Sequence, residues 1–83
     1  MAMKILEDSY AIFTDIEKFT HERAEPPMRE YVEASGLSAG QVFGVLRVAV
    51  TGQKVSPPLF ESMEIIGKPV VLERIAKAVT LLH

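Results

Sequence analysis

Apolar residues recur along the chain in steps of three and four, with no run of strict alternation that would mark a strand. Ile5, Leu6, Ile12, Phe13 and Ile16 keep helical spacing and predict a first helix over about residues 3–18, with Phe19 at its exit. Thr20 then caps a short turn over residues 21–25. Pro26 and Pro27 each lack an N–H and fit poorly inside a helix, so the second helix is expected to restart there. It runs to Ser35, is closed by Gly36, and buries Met28, Tyr31 and Val32. The third helix, over residues 39–51, opens with Ser38 and Gln41 three residues apart, the pattern of a capping box. Val42, Val45, Leu46 and Ala49 form its apolar face, widened by Phe43, Val48 and Val50. The narrow stripe left over carries Gly40, Gly44, Arg47 and Thr51.

Gly52 stands where a helix end favours a residue free to take positive φ. Ser56 is a suitable N-cap, and Pro57 suits the first position of a fourth helix over residues 57–66, closed by Gly67. Glu61 lies near the positive end of that helix dipole. The fifth helix, over residues 69–82, buries Val71, Leu72, Ile75, Ala78, Val79 and Leu82, and pairs Glu73 with Lys77 on its wet face. The expected fold is all-α: one domain over residues 1–83, a compact bundle of about five short helices without repeats or a flexible linker.

Composition narrows the classes of function. Eighty-three residues make one small domain, close to the size at which a single core barely suffices. The chain has no cysteine, which removes disulfide staples and thiolate metal sites and suits a reducing cytoplasm. No apolar run approaches the roughly 20 residues needed to span a bilayer, so no membrane role is expected. A net charge of −2 argues against a protein that coats nucleic acid generally. The charge is nevertheless unevenly spread. Residues 1–36 carry eight acidic and four basic groups, and residues 37–83 carry three acidic and five basic. The corner between the third and fourth helices lies in the basic half.

Catalytic chemistry is not legible. His21 and His83 are far apart, and neither has a metal-ligating partner at helical spacing. Asp15, Glu17, Glu22 and Glu25 read as a solvated face rather than a paired-carboxylate site. Gly40 and Gly44 fall inside a helix and lack the Lys-Ser/Thr tail of a phosphate loop. The corner itself has two local readings. Gly52 followed by Ser-Pro-Pro is ordinary helix-joining chemistry, with Arg47 as an arm pairing to Glu61 or Glu64. Alternatively, Arg47 rises from a face almost free of side chains, where another backbone or a flat ring can come close.

A longer stretch weighs on that choice. The run LRVAVTGQKVSPPLFESMEIIGK, from Leu46 to Lys68, resembles the C-terminal anticodon-binding region of bacterial-type glutamyl-tRNA synthetase. That family shows an LR-x-A-L-TG pattern, a short variable turn, a Ser/Thr-Pro step, then LFE and an apolar helix ending in LGK. Phe19-Thr20 and the GLSAGQVF run from Gly36 to Phe43 fit as well, so the likeness covers about Phe19 to the end. Val45 departs from the pattern where Pro is frequent, and Pro69 where an acidic residue often follows the Lys. The two nucleotide-binding motifs of class I synthetases, of the HIGH and KMSKS types, are absent from this sequence.

The resemblance implies a tRNA-binding, cytoplasmic module of protein biosynthesis that is not an enzyme on its own, with the anticodon loop of glutamate tRNA as partner and a monomeric state. It implies contacts to anticodon bases from Arg47, Ser56, Pro57 and Leu59, and weaker ones from Thr51, Lys54 and Pro58. No cofactor is expected in this chain; ATP and Mg²⁺ belong to the catalytic domain of the parent ligase. The chemistry is coherent with that reading. Splayed anticodon bases offer edges and flat faces. Arg47 supplies a planar fork of donors, and Pro57, Pro58 and Leu59 supply a stiff apolar ledge. With two prolines removing N–H groups, this helix start is expected to cradle phosphate poorly. The competing reading is a helical interaction module that docks a partner on the Gly40/Gly44 face.

Overall fold

The computed structural model describes residues 2–52 and 58–82, with Leu82 described by its backbone alone. Five helices follow one another: α1 Ala2–Thr14, α2 His21–Ser35, α3 Ala39–Thr51, α4 Leu59–Ile66 and α5 Lys68–Leu82. The described residues contain no strand. α1 lies chiefly against α5, α3 packs on both, and α4 closes the bundle against α2. Ile5, Leu6 and Phe13 of α1, Met28 of α2, Val42, Leu46 and Val50 of α3, Met63 of α4, and Val71 and Ile75 of α5 meet in one buried core. Ile12, Ile16, Phe19, Tyr31, Val32, Leu72 and Val79 border it half-buried. Each helix thus contributes the narrow stripe that its 3.6-residue period dictates.

α3 has the bounds that its sequence predicts. Ser38 Oγ accepts from the Gln41 N–H at 3.1 Å, and the Gln41 side chain returns to the Ser38 N–H, completing the capping box. At the other end Gly52 has φ 75° and ψ 9°, the left-handed region, and its N–H donates to Val48 O. An L-residue there is strained; glycine is not.

Three expectations are corrected. The second helix does not restart at Pro26: α2 begins at His21, with Thr20 as N-cap, and carries Pro26 and Pro27 inside it. The prolines delete hydrogen bonds that would end on the carbonyls of exposed Glu22 and Arg23, where water can take over. Buried Ala24 and Met28, four residues apart, hold the turn against the core meanwhile. α1 ends at Thr14 instead of near Lys18. The chain tightens there, with Ile16 N–H reaching Phe13 O, and Lys68 Nζ of α5 donates to Thr14 O at 2.9 Å and Ile16 O at 2.6 Å. A cation from another helix so satisfies the carbonyl end that further turns would have covered. α4 starts at Leu59, because Pro58 has φ −48° and ψ 128°, outside helical space. The expected first position, Pro57, and the expected cap, Ser56, lie outside the described residues.

Candidate nucleic-acid interface

The two helix ends that flank the α3–α4 corner, the last turn of α3 and the first turn of α4, are held from below by apolar packing and from the side by polar ties. Leu59 is 3% exposed and Phe60 7%, so the first turn of α4 is rooted in the core. The Phe60 ring meets Phe43 of α3 edge-on, with centroids 5.3 Å apart and planes at 87°. The Arg29 guanidinium of α2 covers Phe43 at 5.6 Å from the ring centre, while its Nε donates to Glu25 at 2.7 Å. Thr51 Oγ1 donates to Arg47 O at 2.6 Å within the last turn of α3. Arg74 of α5 reaches across and donates from Nη1 to Val50 O at 2.6 Å. The carbonyl end of α3 therefore has a cation upon it.

Arg47 is half-buried, and its Nε is fully buried without a hydrogen-bond partner among the described residues. Neither acid proposed for it is engaged there. Glu61 is exposed, and Glu64 turns the other way, accepting at 2.7 Å from both the backbone N–H and Nδ1 of His21. The structural reading of Arg47 as an arm paired to Glu61 or Glu64 thus fails. An N–H left unpaired out of water costs about 1–3 kcal/mol.

The other sequence-derived residues divide sharply. Thr51 is half-buried beside Gly52, and Pro58 is exposed. Leu59 belongs to the core, so its side chain offers no ledge; the exposed apolar surface at this point is Pro58. With α4 starting at Leu59, Pro58 removes one N–H from the first turn, and the expectation of two deleted by Pro57 and Pro58 does not hold. Lys54, Ser56 and Pro57 lie outside the described residues.

The chain is similar to known proteins over most of its length. A family model described as an anticodon binding domain matches residues 1–79. The chain belongs to that family. A glutamate–tRNA ligase of Roseiflexus sp. (strain RS-1) is 45% identical over 73 residues, 88% of this chain and 14% of that protein. One from Roseiflexus castenholzii is 46% identical over 67 residues, 81% of this chain and 13% of that protein. One from Kocuria rhizophila is 42% identical over 76 residues, 90% of this chain and 15% of that protein. The chain spans about a seventh of the length of the curated relatives it matches.

Within the anticodon-binding domain, three ties escaped the sequence. Arg74 on Val50, Lys68 on the end of α1, and Glu64 on the start of α2 all join residues 24 or more positions apart. Each is a charge set against a helix end of opposite sign, yet nothing local in the sequence names its target. The His21–Glu64 contact raises the His21 pKa, chiefly through the hydrogen bond, and lowers that of Glu64, chiefly through the backbone N–H. On α2, Tyr31 donates to Asp8 at 2.7 Å, and burial together with that bond pushes its hydroxyl up to about 12. The expected Glu73–Lys77 pair is absent among the described ion pairs. Lys77 instead borders a groove between α3 and α5, together with Gly44, while Gly40 lies exposed outside that lining. No described helix is long and apolar enough to cross a membrane.

Proposed function

We propose that the chain reads the anticodon of glutamate tRNA, as one domain of a glutamate–tRNA ligase whose catalytic part lies outside these 83 residues. The observation that carries the reading is the half-buried guanidinium of Arg47 beside the α3–α4 corner, with no ion pair among the described residues. The helix bundle fixes the base of this side chain, and its planar donor fork can meet the edge of an unstacked base. Pro58 adds a rigid apolar surface near by. Ser56 and Pro57 join the base contacts, Leu59 contributes through its main chain, and Thr51 holds the last turn of α3 in place. Lys54 serves a backbone phosphate, where a point charge is sufficient.

On this reading the domain recognises and does not catalyse. ATP and Mg²⁺ serve the activation of glutamate elsewhere in the ligase, and no residue of this chain is assigned to them. The domain acts as a monomer in the cytoplasm, on one tRNA at a time. Titration with glutamate tRNA and with anticodon variants, at low and high salt, tests the reading. Affinity should fall with salt and depend on the anticodon, and removal of Lys54 should lower the salt slope by about 0.7 per phosphate lost on a single strand. Binding indifferent to the anticodon would overturn it. Glutamate-dependent ATP–pyrophosphate exchange by this chain alone would refute the division of labour.

A further inference from the structure

On the side of α3 away from Phe43, a groove of about 1010 Å³ runs between α3 and α5, with the start of α1 at one edge. Val45, Val48, Ala49 and Ala78 make it apolar, and two of the most exposed large apolar side chains border it: Val48, 49% exposed, and Leu81, 77% exposed. Arg74 and Lys77 stand along its α5 edge. Gly44 opens its wall, and a Cβ added there would meet nothing within 4 Å.

That glycine is unexplained by the domain itself. Inside a helix it costs about 0.8–1 kcal/mol relative to alanine. Its φ is not positive, and no neighbour among the described residues needs the space. A missing side chain in the wall of an apolar groove is what close approach by another backbone requires. Three helices, α1, α3 and α5, thus line a site with room for a fourth.

We propose that this groove seats an amphipathic helix from the ligase polypeptide outside these 83 residues, one that crosses α3 at Gly44 and sets carboxylates against Arg74 and Lys77. The proposal rests on the chain being a piece of a longer ligase. It matches about a seventh of its relatives' length, so most of such a protein lies elsewhere. Charge selects among occupants. A second copy placed two-fold across the groove would bring Arg74 and Lys77 towards their own equivalents. An RNA strand would meet the cations but find apolar walls beneath them. An acidic amphipathic helix satisfies both edges and walls, the helix-in-groove mode.

Thiol labelling tests this cleanly, since the chain has no cysteine. Val48→Cys reports from the groove, and Ile65→Cys, at a position 86% exposed on α4 and outside the groove, is the reference. In the 83-residue chain both should alkylate readily. In the intact ligase, with modified peptides read by mass spectrometry, Val48→Cys should slow on the order of ten-fold, whereas Ile65→Cys keeps its rate. Lys77→Glu should restore much of the lost reactivity, and Gly44→Ala should do the same while raising the Tm of the isolated chain. Equal rates in the isolated chain and the ligase overturn the proposal. So does protection that grows with protein concentration, which gives the groove to a second copy, or protection that appears only with tRNA, which gives it to RNA. A ligase that discriminates anticodons normally while Val48→Cys stays reactive loses the groove and keeps the anticodon reading.

Discussion

Arg47 and Arg74 bring the same guanidinium to the same helix from opposite sides, in opposite states. Arg74 comes from α5 and is anchored through one nitrogen: its Nη1 holds Val50 O at 2.6 Å and completes the end of α3. Arg47 belongs to α3, sits half-buried one turn before that end, and leaves its Nε unpaired among the described residues. A fold that needed both for stability would pair both. On the proposed reading, one arginine makes the helix end rigid, and the other, standing on that end, is left for the tRNA. Recognition by a planar fork depends on both conditions, because a donor on a fraying turn gives up its geometry.

Four measurements break or sharpen this contrast. The largest expected effect is on recognition. In the ligase, Arg47→Ala should cost about 1–3 kcal/mol and blunt discrimination at one anticodon position, with thermal stability unchanged or slightly improved. Arg47→Lys should not rescue it, since a point charge lacks the fork. Charging kinetics over a set of anticodon variants decide; equal losses on every variant make Arg47 a phosphate contact.

Arg74→Ala should show the complementary pattern, losing about 1–2 kcal/mol of stability as the α3 carbonyls open. Its selectivity among anticodons should persist at temperatures where the variant is folded. If Arg74→Ala erases selectivity without lowering Tm, the two roles have been exchanged. Gly52→Val comes next, at about 1 kcal/mol, since a β-branched residue tolerates φ of 75° poorly. Denaturant unfolding reads this loss, and an unchanged midpoint would mean that the corner adopts another geometry in solution.

The smallest effect is the dependence on pH of the far end of α4. His21 has its pKa raised from 6.5 by Glu64, so the stability from its protonated form is complete below 6.5 and disappears as pH climbs through the raised value. Glu64 is lowered from 4.5, so its share is present above 4.5 and disappears as pH falls through the lowered value. The pair therefore contributes most between the two ordinary values. Melting curves from pH 5.5 to 8.5 should show a shallow decline for the wild type that His21→Ala lacks. Equal slopes in both proteins would remove the pair from the pH response.

What the sequence disclosed follows the range of the forces involved. Ser38, Gln41 and Gly52 act within four residues of themselves, and the bounds of α3 could be read directly from them. The apolar stripes of α1, α3 and α5 located the core for the same reason, since period is a local property. Pro26 and Pro27 misled because their local penalty was weighed without the packing of Ala24 and Met28 that outweighs it. Val48 read as part of the α3 face and is 49% exposed, because periodicity states which side is apolar and not whether anything covers it. Arg47 could be singled out by its bare surroundings, but that Glu64 is held by His21, and that Arg47 Nε is unpaired among the described residues, required the structure. The anticodon-binding family could be read from the Leu46–Lys68 run, while the burial of Leu59 and the start of α4 after Pro58 required the structure.

The long-range polar ties also set an order for biosynthesis. Lys68 closes α1 from 54 residues away, Glu64 caps α2 from 43, and Arg74 closes α3 from 24. As the nascent chain leaves the ribosome, its first three helices emerge with open ends and an unfilled core, since Val71 and Ile75 have yet to be made. The Arg74 closure of α3 cannot form until α5 is clear of the exit tunnel. The domain is therefore expected to fold late in its own synthesis, and a chain cut before residue 74 lacks the closure of α3 and part of the core.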